Sequence, residues 1–274
     1  MSVLVSPNED PKEMSKFIEA NRIAFWKALG KSPVMDVIQE QDILFTSSDV
    51  KFPFFNSILQ AKFSADHQDR RTDQVLSNYK YRDVPIWWWV APSTTPADLG
   101  LCLERHGLVH EETQVGMAAN LDTIKESSSE SIELTLKSVA SEKDLNAFAS
   151  TCIAGFESCE FCADPLKQAL LPNTICDSPT FFHYVGWVES EPISTSSLFL
   201  AEGVAGIFFV SVRKSHRGKG IGRAMTLAAL SEAQKKGYRV AVLFATEIGY
   251  QIYRNMGFEE YCTMKLYDLP YSVK

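Results

Sequence analysis

The stretch Val212–Thr226, VRKSHRGKGIGRAMT, joins an apolar strand-like run (VAGIFFVSV, 204–212) to a helical one. Between them Gly218, Gly220 and Gly222 stand at every second position, among the five basic residues Arg213, Lys214, Arg217, Lys219 and Arg223. Glycine permits tight turns and leaves backbone N–H groups open to a ligand that a side chain would screen. The loop also opens a helix, whose unpaired first N–H groups and dipole favour an anion. A phosphate is the natural guest.

Spacing separates the phosphate loops. A dinucleotide fingerprint needs G-x-G-x-x-G and an acidic residue at the end of the next strand, but the glycines here fall as G-x-G-x-G and the next strand reads RVAVLFA. A nucleotide P-loop needs Lys-Ser/Thr straight after its last glycine, and Gly222 is followed by Arg223 and Ala224. Nucleic acid is a poor match for a chain of net charge −7 and pI near 5.3, so the basic loop is a local exception.

Outward from the loop, the second half reads as strand (IELTLKSV), helix (SEKDLNAFASTCIAGF), an irregular stretch with Pro165 and Pro172, and strands FFHYVGWV and ISTSSLFLA. After a turn at Glu202-Gly203 come the loop strand, the loop, a helix to Lys236, strand RVAVLFA, a short helix and a last strand near YCTMKLY. Three strands in succession with tight turns must be antiparallel, whereas strand-loop-helix-strand demands a parallel pair. The expectation is an α/β fold with a mixed, largely antiparallel sheet flanked by helices.

Arg217, Gly220 and Gly222 in the pattern R-x-x-G-x-G, with IYRNMGF (252–258) about thirty residues on, resemble the GNAT superfamily of acyl-CoA-dependent N-acyltransferases over residues 132–274. The resemblance implies that Arg217, Gly218, Lys219, Gly220, Ile221, Gly222 and Arg223 hold the pyrophosphate of acetyl-CoA, the co-substrate. It also implies that the loop strand splays from the next parallel strand, so that backbone groups of Val210 and Val212 receive the pantetheine arm. A strand N–H near Val210 would stabilise the oxyanion as an amine attacks directly, and Tyr253 would supply the acid for the departing thiolate. The implied activity is N-acetylation of a primary amine on a small molecule or peptide, with no nucleic acid, membrane or metal involved. The alternative is a non-catalytic acyl-CoA-binding or interaction protein.

Two departures from the family pattern bear on this choice. The loop-strand positions where many members carry a glutamate base are Gly206 and Phe208, which leaves Glu189, Glu191, Glu202 and His183 as the titratable groups near strand ends. At the start of the closing helix, Thr246 and Gly249 replace the usual asparagine and alanine, and the threonine hydroxyl is the candidate substitute.

The first half reads as a smaller α/β accessory. A helix starts at Asp10, Pro11 and Glu13, with Met14, Phe17, Ile18, Phe25 and Leu29 at helical spacing. Strands follow at DILFTS and NSILQAKF, then a polar helix near 69–78 and the strand VPIWWWVAP. TPADLGLCLERHGL reads as a helix capped by Thr95, with Pro96 in its first turn, ending at Gly107. The polar run DTIKESSSES (122–131) marks a linker, giving domains at 1–125 and 132–274. CLERHGLVHEETQVGMAANL and IYRNMGFEEYCTMKLYDL align on Gly107 and Gly257, an echo that fits either a diverged duplication or a common helix ending. Leu103 stands where Tyr253 does, so a first copy would lack the coenzyme site. Trp87, Trp88 and Trp89 must face both sides of their strand, as core packing or as a wall of the acceptor site.

With 45% apolar residues in 274, the chain can bury one large core or two modest ones. The first residues lack a signal-peptide core and no apolar run approaches the roughly 20 residues that span a bilayer, so cytoplasmic residence is expected. Six scattered cysteines read as reduced thiols. The pair in CEFC (159–162) lacks a second ligand pair for zinc.

Overall fold

In a computed structural model, residues 4–124, 134–176 and 179–270 are described. The elements in order are α1 (Pro11–Leu29), β1 (Asp36–Gln39), β2 (Ile43–Ser47), β3 (Ser57–Ala61), α2 (Gln68–Arg82), β4 (Trp87–Val90), α3 (Leu99–Arg105) and β5 (Val109–Asn120). There follow β6 (Leu134–Ser138), α4 (Glu142–Gly155), α5 (Ala163–Thr174), β7 (Phe181–Val188), β8 (Glu191–Ala201), β9 (Val204–Val212), α6 (Ile221–Lys235), β10 (Val240–Ala245), α7 (Glu247–Met256) and β11 (Glu259–Asp268).

These elements form two compact units, and neither is a consecutive half of the chain. The larger comprises residues 1–32 and 116–261, the smaller residues 33–115 and 262–274. They are therefore not the spans 1–125 and 132–274, and residues 125–131 of the expected linker lie outside the described residues. Burial explains the difference. Asp10 caps α1 by accepting from the Lys12 N–H at 2.9 Å. The buried face of α1 then sends Phe25 among Phe181, Phe199 and Phe208, with ring centroids at 5.6, 5.9 and 4.1 Å. Asn173 on α5 donates to the Ala28 carbonyl at 2.7 Å. Local composition marks where a helix begins, not the unit against which it is buried.

In the larger unit, β6, β7, β8 and β9 pair antiparallel in sequence, β9 pairs parallel with β10, and β5 lies beside β10. The β8–β9 turn has Glu202 at φ 55° and Gly203 at φ 74°, the doubly left-handed two-residue turn whose twist suits a hairpin. In the smaller unit β1, β2 and β3 are antiparallel neighbours, β3 runs parallel to β4, and the end of β11 pairs antiparallel with β4 (Lys265 opposite Val90, Asp268 opposite Trp87). The mixed, largely antiparallel architecture with flanking helices is as expected.

Two local expectations need correction. The stretch with Pro165 and Pro172 is helical: Pro165 falls in the first turn of α5, where its missing N–H has no helical partner anyway, and burial of Leu166, Ala169 and Leu170 outweighs the bond lost at Pro172. Thr95 does not cap α3, which begins at Leu99 after Asp98. Its backbone instead bridges to β3, donating to Ala61 O at 3.1 Å and accepting from Phe63 N at 2.8 Å.

Candidate active site

The site grows from β9. Its register with β8 slips so that Thr195 faces Ser211 while Ser197 faces Phe208, leaving Phe209 and Val210 opposite a single residue. This is a β-bulge, and Phe209 adopts φ 50°, a left-handed backbone uncommon for an aromatic residue. No sequence signal marks it. On the other edge, β9 is in register with β10 only from Ala205 to Ile207, although β9 runs on to Val212 and β10 to Ala245. The two strands therefore separate past Ile207. The Arg213 N–H donates to Ile193 O at 2.8 Å, which by antiparallel alternation makes Val212–Ser194 a non-bonded pair. The N–H and C=O of Val212 thus turn away from β8, toward the opening.

The glycine loop follows. Gly218 and Gly220 both sit at φ 77°, where an L side chain is strained. Gly220 is the N-cap of α6 and brings no side chain to satisfy the first-turn N–H groups of Ile221, Gly222 and Arg223, which have no acceptor within the helix. Ile221 is buried against Ile193 and Met225, which anchors that turn. A Cβ on Gly222 would come no nearer than 3.8 Å to Val212 Cγ2, so packing alone does not demand glycine there. These donors, open at a helix start, fit the phosphates of a nucleotide-bearing coenzyme.

The cations of the loop divide. Arg213 donates to Glu191 at 2.9 Å and Lys214 pairs with Glu157 at 3.0 Å. Arg217 is a clamp: Nη2 donates to Gly155 O at 2.7 Å, Nη1 to Glu157 Oε2 at 3.1 Å and Nε to Val212 O at 3.1 Å. Hydrogen bonds from Lys214 and Arg217 hold the Glu157 carboxyl below its usual range. Lys219 is exposed between the two left-handed glycines, and Arg223 is half-buried in the first turn of α6.

Tyr253 lies on α7 with its ring over Gly249, where a Cβ would meet Cε2 at 2.8 Å; glycine at that position makes room for the tyrosine. Its hydroxyl interacts with Thr226, which in turn donates to Gly222 O at 2.9 Å, linking the tyrosine to the first turn of α6. Burial pushes the Tyr253 phenol up to about 12, partly opposed by Thr226. Thr246 caps α7, accepting from the Gly249 N–H at 3.4 Å.

The positions expected to carry a base are filled from α1. A Cβ on Gly206 would lie 2.1 Å from Asn21 Oδ1, and Asn21 is fixed by donating to Ala201 O at 3.0 Å. Phe208 stacks on Phe25. Glu189 and Glu202 occupy turns with φ 55°, and Glu191 holds Arg213. His183 is buried, 2.6 Å from Ser197 Oγ and 3.0 Å from Thr174 Oγ1. Thr174 donates to Leu170 O, so His183 Nε2 donates to it and Nδ1 accepts from Ser197. Burial lowers this imidazole to about 3, which makes it a packed core residue. Asn21 and Thr226 escaped the sequence reading because neither belongs to a motif.

In the smaller unit, Leu103 and Trp88 are buried in one core, while Trp87 and Trp89, on the other face of β4, meet edge-on at 6.4 Å, with Trp89 buried and Trp87 half-buried. The echo between the halves extends to backbone: Gly107 at φ 89° and Gly257 at φ 99° end their helices, with Leu108 N donating to Leu103 O and Phe258 N to Tyr253 O, both at 3.1 Å.

Residues 202–261, from the β8–β9 turn to the first part of β11, match the acetyltransferase (GNAT) domain family. Among solved structures, a GCN5-related N-acetyltransferase from Kribbella flavida superposes with TM-score 0.65 at 19% identity over 92% of this chain and 95% of that one. One from Sphaerobacter thermophilus gives 0.61 at 16% over 95% and 93%. A tandem GNAT protein from the clavulanic acid biosynthesis pathway gives 0.57 at 11% over 100% and 99%. Residues 202–261 thus carry the match to the GNAT acetyltransferase domain, and the fold of the chain is of the GNAT type.

Proposed function

We propose that this protein transfers an acetyl group from acetyl-CoA to a primary amine of a small molecule or peptide. The observation that carries the reading is the parting of β9 from β10 past Ile207 beside an uncapped, glycine-opened helix. The N–H groups of Gly218 to Arg223 would hold the pyrophosphate, with the Lys219 and Arg223 charges nearby and Arg217 bracing the loop. Backbone groups of Val210 and Val212 would take the pantetheine amides as a neighbouring strand does. When bound, acetyl-CoA supplies a thioester carbonyl open to attack by an amine.

The chain's own part is positioning and proton control. At neutral pH Tyr253 is fully protonated, with its phenol near 12, so its role is to hold a proton toward the departing sulfur. With Gly206 and Phe208 covered by Asn21 and Phe25, no carboxylate takes the amine's proton from the loop strand. With no base on that strand, the acceptor would arrive neutral or lose its proton to water. Six free thiols and no helix among the described residues able to cross a membrane support a cytoplasmic setting.

That same covering of the base position favours the second reading, a non-catalytic acyl-CoA-binding protein. Calorimetry with acetyl-CoA, followed by thiol release over a panel of amines, separates them: binding with release supports the enzyme, and binding without release supports the second reading. Gly220→Glu places a side chain and a negative charge at the helix start and should abolish acetyl-CoA binding in a folded protein. Undiminished affinity would sink the loop assignment.

A further inference from the structure

We infer that the smaller unit carries a site for one zinc-type divalent transition-metal ion, held by Asp69, Cys102 and His106. Asp69 and Asp73 stand four residues apart on α2, and Cys102 and His106 stand four apart on α3 and its C-cap, a spacing that stacks side chains on one helix face. Cys102 Sγ lies 3.5 Å from Asp69 Oδ1 and 3.7 Å from His106 Nδ1, and Nδ1 lies 4.0 Å from Oδ1. A tetrahedral ion with bonds of about 2.3 Å to sulfur and about 2.1 Å to nitrogen and oxygen sets donor separations of about 3.4–3.6 Å. Two of the three edges fit as they stand, and the third closes with a small turn of the exposed Asp69 carboxylate.

A second feature points the same way. His106 Nε2 is 3.3 Å from Asp73 Oδ1, the carboxylate–histidine arrangement that orients a metal-binding imidazole through its far nitrogen. A thiolate, an imidazole and a single carboxylate suit zinc, cobalt or copper over calcium or magnesium, which take oxygen shells. Cys102 is buried and Asp69 exposed, so the fourth position faces solvent and takes water.

Without metal these atoms have protein partners that binding must displace. Arg105 Nη2 donates to Asp69 at 3.0 and 3.3 Å, Thr72 Oγ1 lies 3.7 Å from the thiol, and His106 Nδ1 donates to Cys102 O at 2.8 Å. On binding, the thiol proton leaves to solvent and the ring binds through an unprotonated Nδ1, with its proton on Nε2, facing Asp73. Arg105 can stay on Oδ2. The site is independent of the coenzyme loop, whose residues all lie in the larger unit.

The test uses the full chain, reduced and metal-free, titrated with Co²⁺. One equivalent should give a near-ultraviolet thiolate-to-cobalt band that Zn²⁺ displaces, and Zn²⁺ should raise the melting temperature. Cys102→Ser should remove the band. Asp69→Asn, exposed and so neutral for folding, and His106→Gln should each weaken Co²⁺ binding by about tenfold or more. Absence of the band in the wild type at millimolar Co²⁺, its persistence in Cys102→Ser, or an unchanged affinity in Asp69→Asn would each overturn the site. Should Cys102→Ser fail to fold, the other two variants decide.

Discussion

Arg217 is the residue at which the family resemblance and the structure give different chemistry, and its substitution by lysine tells them apart. As a phosphate cation it would act through its charge, which lysine keeps. As a clamp it acts through a planar fork that reaches Gly155 O, Glu157 and Val212 O at once, which lysine cannot reproduce. The side chain is 35% exposed and Glu157 47% exposed, so the ion pair itself is worth about 0–1 kcal/mol. The two bonds to carbonyls are charge-assisted, the one to Gly155 O part-buried and the one to Val212 O exposed, and contribute about 1–1.5 kcal/mol each. Arg217→Ala should therefore lower unfolding free energy by about 2–3 kcal/mol, and Arg217→Lys, keeping one bond, by about 1–2 kcal/mol. Because Val212 O and the loop are what the fork joins, both variants should weaken acetyl-CoA by about tenfold or more, each 1.4 kcal/mol being one decade. Urea denaturation and titration calorimetry on the same samples measure the two effects. Arg217→Lys with wild-type affinity and stability, beside a defective Arg217→Ala, would show that charge suffices and refute the clamp.

Tyr253→Phe keeps the ring over Gly249 and removes only the hydroxyl, so acetyl-CoA should bind as before while turnover with a screened amine falls by about 10²-fold or more; wild-type turnover would make the tyrosine structural. His183 has its folded value near 3 against about 6.5 unfolded, so the folded state binds fewer protons between these limits. Its stability contribution is full above pH 6.5 and is lost as pH falls toward 3, at up to about 1.4 kcal/mol per pH unit, and His183→Asn should flatten that part of a stability profile. Phe25→Ala should cost about 3–5 kcal/mol, because the ring is buried among other aromatic rings of the larger unit; a loss under 1 kcal/mol by urea denaturation would contradict the placement of α1 there.

By itself the sequence determined the parts whose causes are local. The cap at Asp10, the hairpin turn at Glu202-Gly203, the glycine loop before α6 and the left-handed glycine after Tyr253 are set by residues within a few positions, and they carry the resemblance to the GNAT superfamily and the order of the strands. Tertiary structure decided what depends on distant partners. The bulge at Phe209 needs the β8 ladder to exist, the fork of Arg217 needs the end of α4, and Tyr253 reaches its elevated phenol through burial against α6. Asn21 stands beside Gly206 because α1 buries its apolar face on β8 and β9, a contact spanning most of the chain. The same holds for Asp69, Cys102 and His106: the i, i+4 spacing of Cys102 and His106 lies along the chain, but only the packing of α2 against α3 brings Asp69 to them, with all three within 4.0 Å of one another. Side-chain chemistry is written in the residue types, while which chemistry meets which is fixed by the burial of faces that no short window contains.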